Sequence, residues 1–176
     1  MGPILKQARR KVGMTLREAG YRLGFSERHI RHLEAGTRPI DANTIVRAAD
    51  LYDAPHLTVH FCRYSCSIGE RYCYEPLNAV DTSPVAILTK YRDEKREVDT
   101  VLGGLISAVL NKRDGEDLSP CEKTVFERAF QELLDVEHVI EVLKLAAARF
   151  IDVPGAIAKH NQKCIDSGYV KRGVAA

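Results

Sequence analysis

Apolar positions recur at three- and four-residue spacing along the chain, which predicts an all-α protein built as a bundle of short helices followed by longer ones. Ile4, Leu5, Ala8 and Val12 form a first apolar stripe, and Leu23, Phe25, Ile30 and Leu33 form inward positions that can pack against it. Polar punctuation falls between the stripes. Thr15 can cap a helix running to Leu23, with Gly24 in the left-handed position that ends it, and Ser26 can cap the next. Asp41 can cap a fourth helix through Leu51, which offers Ile45, Val46, Ala48, Ala49 and Leu51 as apolar surface. Asp53-Ala54-Pro55 ends that helix, and residues 55–61 form a short fifth one with proline in its first turn. Residues 1–62 are thus expected to make a five-helix domain.

A second pattern follows a break. Residues 63–82 read as a Cys-containing linker, with Glu75-Pro76 through Thr82 its most linker-like part. Ser83-Pro84 then opens a stripe of Leu88, Tyr91, Val98, Val101, Leu102, Leu105, Ile106 and Val109. Gly103-Gly104 interrupts this stripe and permits a kink or a close approach. After the polar turn of residues 111–117, Ser119-Pro120-Cys121-Glu122 has the form of a capping box with proline at the first helical position. Apolar residues from Val125 to Phe150 continue at helical spacing. Residues 83–152 are therefore expected to form a helical hairpin with arms of about 28 and 32 residues, each roughly 40 to 50 Å long. A lone hairpin covers only part of so wide an apolar face. The economical partner is the same hairpin from a second copy, making a four-helix homodimer, and the alternative is that it folds back on its own N-terminal domain. Residues 153–176 are expected to hold a short helix near 156–164 and a basic tail with Lys171 and Arg172.

Charge sharpens the division. Nine Lys/Arg stand against three Asp/Glu in the first 40 residues, whereas the whole chain is only +2. The remainder is net acidic, so an electrostatic footprint for phosphates belongs to the N-terminal part alone. A hydrophobic content of 45% in 176 residues supports real cores in one or two domains. No run approaches the roughly 20 apolar residues of a membrane span, and no apolar leader opens the chain, so no membrane association and a cytoplasmic location are expected.

The order of residues over the first third is specific. Arg9-x3-Gly13-Met14-Thr15 precedes Leu23-Gly24-Phe25-Ser26, and Ile30-x2-Leu33-Glu34-x-Gly36 follows. This run resembles the Cro/C1-type (XRE) helix-turn-helix family. The resemblance implies a five-helix, lambda-repressor-like DNA-binding domain whose third helix enters the major groove of double-stranded DNA. It implies base-edge readers at Glu27, Arg28 and His32. Arg28 has the planar fork that suits the O6 and N7 acceptors of guanine, while Glu27 can accept from a cytosine amino group or orient Arg28. His29 and Arg31 can reach phosphate or stand as solvated side chains, and Ser26 and Thr37 are candidate phosphate anchors. The resemblance also implies a buried ion pair between Arg9 and Glu34. Two departures stand out: Leu16 occupies the place of a usual glutamine, leaving Arg17 or Arg38 to make that phosphate contact, and Ala19-Gly20 replaces Leu-Ala.

The remaining candidate chemistry is His56-x3-His60-x-Cys62-x3-Cys66-x6-Cys73. Imidazoles and thiolates suit zinc or an iron–sulfur cluster, yet the spacing matches neither common zinc-finger nor ferredoxin patterns, and free cysteines or redox-sensing thiols are the other readings. Some members of the resembled family carry a similar Cys-x3-Cys-[Pro/Ser]-Ile-Gly stretch. Cys121 and Cys164 lie far off in sequence and read as structural. The carboxylates from Glu122 to Glu141 read as a solvated helix face. No phosphate-cradling glycine loop, His-Glu-x-x-His or nucleophile elbow is present, so neither enzyme activity nor a cofactor is expected. The expected function is that of a sequence-specific, DNA-binding transcriptional regulator, a dimeric repressor with room for an effector protein or ligand. The alternatives are an antitoxin-like or interaction adaptor working through the hairpin, and a metal- or thiol-responsive regulator using Cys62, Cys66 and Cys73.

Overall fold

The sequence rules for helix starts and stops are obeyed at most boundaries of the computed structural model, which describes residues 1–77 and 79–170. Lys171 and Arg172 of the expected basic tail lie outside the described residues. All regular structure among the described residues is helical, and the chain divides into two units, Met1–Asn78 and Ala79–Ala176.

In the first unit, α1 spans Gly2–Lys11, α2 Leu16–Leu23, α3 Glu27–Ala35, α4 Ala42–Leu51, α5 His56–Ser65 and α6 Ser67–Tyr72. Thr15 caps α2 through a reciprocal box with Glu18, and Ser26 and Asp41 accept backbone N–H groups at the starts of α3 and α4. The box and the backbone amide of Thr15 hold the Glu18 carboxyl below its ordinary range. Gly24 ends α2 at φ +75°, a left-handed conformation in which a side chain is strained. Gly20 serves the same turn differently. A Cβ there would stand 2.6 Å from the carbonyl oxygen of Phe25, so the Ala19-Gly20 departure lets the chain pass directly across α2.

Leu5, Ala8, Ala19, Leu23, Ile30, Leu33, Ile45, Ala48, Tyr52 and Leu57 form one buried cluster that joins α1 through α5. Of the other expected inward positions, Ile4, Phe25 and Leu51 are partly buried and pack against it. Val12 and Val46 are exposed, because each lies at the edge of an apolar stripe wider than the surface the domain can cover. Residues 63–72, expected as linker, are the end of α5 and the six-residue α6. α5 outlasts its expected end at residue 61 because its last turn packs against α6.

The second unit holds α7 (Pro84–Val109), a single 3₁₀ turn at Gly115–Asp117, α8 (Pro120–Ala147) and α9 (Val153–Asp166). The Ser119–Glu122 capping box forms, and α7 and α8 pack against each other as a hairpin. α7 runs unbroken through Gly103-Gly104; a Cβ on Gly104 would make ordinary contact with Val125 and one on Gly103 would meet open space. Ile87, Ala108, Ala129 and Val139 are buried, whereas Leu88, Leu102, Ile106, Val109, Phe126 and Phe130 are exposed. Glu94 is buried between the arms and paired with Lys90. The terminal helix is longer than expected, begins at an Asp152 cap and has no fully buried residue.

Candidate nucleic-acid interface

The α2–turn–α3 corner is assembled by three elements. Leu23, Ile30 and Leu33 bury its inner side, and Arg9 of α1 reaches Glu34 of α3 with paired hydrogen bonds of 2.5 and 2.9 Å. A third Arg9 bond goes to the Met14 carbonyl at 2.5 Å. Both charges are buried, and the Glu34 carboxylate raises the Arg9 pKa further. The pair expected from the resemblance is therefore present and locks α1 to α3. Tyr52 lies in the same core with its hydroxyl buried and without a hydrogen-bond partner; burial first, and the Glu34 charge second, push its pKa up to about 12.

With the inner side fixed, the outer side of α3 is fixed too. Glu27, Arg28, Arg31 and His32 are exposed, and Thr37 and Arg38 follow the helix on the same exposed stretch. Arg31 donates to Glu27 at 2.7 Å, while Arg28 Nε lies 3.5 Å from His32 Nε2. Glu27 therefore pairs with Arg31 rather than orienting Arg28, because residues four apart share a helix face and neighbours do not. Arg28 keeps its fork uncommitted to a carboxylate. His32 Nδ1 stands 2.9 Å from the Thr37 hydroxyl, which also donates to the His32 carbonyl. His29 is half-buried: it stacks on Phe25 with ring centres 4.3 Å apart, and Arg38 stands 2.8 Å from its Nδ1. Ser26 spends its hydroxyl on the His29 amide as the cap of α3, and Arg17 is exposed in the first turn of α2.

Two residues of this corner were missed in the sequence, one without any signal and one with a faint one. Arg47 of α4 donates to the Leu23 carbonyl, the last of α2, and its guanidinium lies 6.0 Å from the centre of the Phe25 ring. It closes the turn from outside. Tyr21 projects from α2 with 88% of its surface exposed. An apolar residue out of phase with Leu16, Ala19 and Leu23 is the only hint that points to it.

The histidine and cysteine candidates separate into two groups. His56, His60 and Tyr64 run along one side of α5 with ring centres 6.4 and 5.7 Å apart, and His60 Nδ1 is buried without a partner. Burial lowers the His60 pKa, and the chain's N-terminal amine lowers it further. Cys62, Cys66 and Cys73 gather where α5 meets α6. Among the described residues, the group whose possible ligand atoms all lie within 4.8 Å of one another is instead Glu94, Glu97 and Glu132 on the hairpin. The expected set of two histidines and three cysteines thus does not converge on one point, since residues two apart on a helix face different ways.

No helix among the described residues is long and apolar enough to cross a membrane. No curated protein and no solved structure matches the chain. Residues 1–60 match the family model of a helix-turn-helix domain, so the first five helices, up to residue 60 in α5, are such a domain.

Proposed function

We propose that the chain is a Cro/C1-type, sequence-specific DNA-binding transcriptional regulator that acts as a dimeric repressor in the cytoplasm and by binding rather than catalysis. The observation that carries this reading is the outer face of α3, where Arg28 and His32 stand exposed on a helix whose inner face is clamped by the Arg9–Glu34 pair. A rigid helix carrying an exposed guanidinium that no carboxylate holds, its Nε alone directed at His32, suits bidentate recognition of guanine. Arg17, Arg31, Thr37 and Arg38 are exposed and are the candidates for phosphate contacts, the sequence-independent part of affinity. His29 and Ser26 support this surface from within, one stacked on Phe25 and the other capping α3.

The dimer is supported by the hairpin. Leu102, Ile106, Phe126 and Phe130 leave apolar surface on α7 and α8, and a second hairpin is the partner that converts two single readers into one reader of paired half-sites. Selection of bound duplexes from a random pool tests both parts. The expected winners carry two related half-sites at a fixed spacing near one helical turn of about 10 base pairs. Enrichment of a single unpaired site removes the dimer, and no enrichment over the input pool removes sequence-specific binding.

A further inference from the structure

The terminal helix carries a pair of side chains that neither DNA reading nor the hairpin uses. α9 starts at the Asp152 cap and has no fully buried residue, so its side chains do not fill a core. Cysteine is among the most often buried residue types. Cys164, expected as structural, instead stands on this helix as a free thiol of intermediate exposure. His160 lies four residues before it, on the same helix face, and the Cys164 sulfur is 3.5 Å from His160 Nε2. That separation is the one two ligands have on a single tetrahedral zinc. Bonds of about 2.0 to 2.1 Å to an imidazole nitrogen and about 2.3 Å to a thiolate, opened to the tetrahedral angle, put nitrogen and sulfur about 3.6 Å apart. Among the described residues no third histidine, cysteine or carboxylate of the same chain joins the pair. The group of three whose ligand atoms converge is Glu94, Glu97 and Glu132, on the hairpin.

We propose that His160 and Cys164 are half of a zinc site that the same two residues of a second copy complete, with the ion on the twofold axis between the copies. A closed zinc site takes four ligands, and a mixed nitrogen and sulfur set suits this borderline-soft ion. Twofold symmetry presents one surface patch twice, which turns a two-ligand pair into a Cys2His2 set. His160 offers the Nε2 lone pair of its neutral imidazole. Cys164 binds as the thiolate, its proton passing to solvent, so each chain releases one proton. Two thiolates cancel the charge of the ion, and the exposed Lys159 and Lys163 on the same helix therefore face no net positive charge. A helix without fully buried residues leaves the pair open both to an ion and to a second copy. The site needs two copies and in that respect rests on the dimer proposed above, but it draws on none of the apolar residues of the hairpin.

The test is titration of the full chain, purified reduced and metal-free, with zinc alone, read by equilibrium dialysis and by sedimentation. The expected uptake is one zinc per two chains, reversed on acidification as the thiolates are protonated. Cobalt in place of zinc should show the charge-transfer absorption of thiolate ligation and the strong visible bands of a tetrahedral ion. His160→Ala and Cys164→Ser should each abolish the stoichiometric uptake while circular dichroism keeps its helical signal, since neither side chain is fully buried. Cys62→Ser should take up zinc as the wild type does. One zinc per chain, no uptake at all, uptake that survives Cys164→Ser, or uptake lost with Cys62→Ser would each overturn the proposal. Sedimentation without zinc keeps this site and the hairpin dimer apart. A zinc-free monomer that zinc pairs supports the site and removes the hairpin dimer, whereas a zinc-free dimer that takes up no zinc removes the site and leaves the dimer.

Discussion

At the scale of single residues, the charges of the first domain divide by burial. Arg9 and Glu34 are inside, and truncating either to alanine strands the other charge, an expected loss of about 3 to 5 kcal/mol. Urea unfolding of Arg9→Ala and Glu34→Ala should show that loss in each, whereas Arg31→Ala, which breaks an exposed pair, should change stability by less than about 1 kcal/mol. Tyr52 gives a second test. Its raised pKa means that the fold holds the neutral phenol, so this contribution is complete below pH 10 and is lost as pH rises toward about 12. A shift of that size corresponds to about 3 kcal/mol. Tyr52→Phe should abolish the alkaline loss and, because the hydroxyl has no partner, leave stability at neutral pH unchanged or raised by about 1 kcal/mol. A loss at neutral pH in a thermal melt would show that the hydroxyl is satisfied. The sequence could not announce Tyr52: it directly follows the apolar positions of α4, its cost is set first by burial, and the charges that act on it, Glu34 and Arg9, lie 18 and more residues away. Arg9–Glu34, by contrast, was legible through resemblance, since the residue types recur at fixed places in a known run.

At the scale of elements, caps were easy to read and packing was not. Thr15-x-x-Glu18 and Ser119-x-x-Glu122 are local chemistry, and both boxes form. α6 was not legible, because six residues give too little periodicity and its position depends on Gly69 meeting Cys62. Arg47 was equally hidden. It acts on a carbonyl 24 residues earlier, and a backbone acceptor leaves no mark in residue type. The Glu27–Arg31 pairing shows how spacing decides between partners that composition alone leaves open. The turn itself offers a sharp test at Gly20. Gly20→Ala places a methyl against the Phe25 carbonyl, so the backbone must shift at an expected cost of about 1 to 3 kcal/mol. Thermal melts should show the loss, and a stabilisation, as alanine normally gives in a helix, would mean that the corner is looser than this geometry.

At the scale of the whole molecule, the division of labour follows from what each unit exposes. The first presents a basic face, the second an apolar one along α7 and α8. Ile106→Glu with Phe126→Glu should convert a dimer to a monomer in sedimentation while circular dichroism keeps its helical signal, since both side chains are already exposed in a single chain. Wild-type protein sedimenting as a monomer at micromolar concentration would contradict the dimer. The central claim is that α3 reads bases through Arg28. It is tested most directly by competition binding of wild type and Arg28→Ala to the selected duplex and to its scrambled counterpart at one salt concentration. Loss of a bidentate guanine contact is expected to cost about 1 to 3 kcal/mol, so preference for the selected duplex should fall roughly 5- to 150-fold while affinity for scrambled DNA changes little. Equal weakening on both duplexes, or undiminished preference, would contradict it.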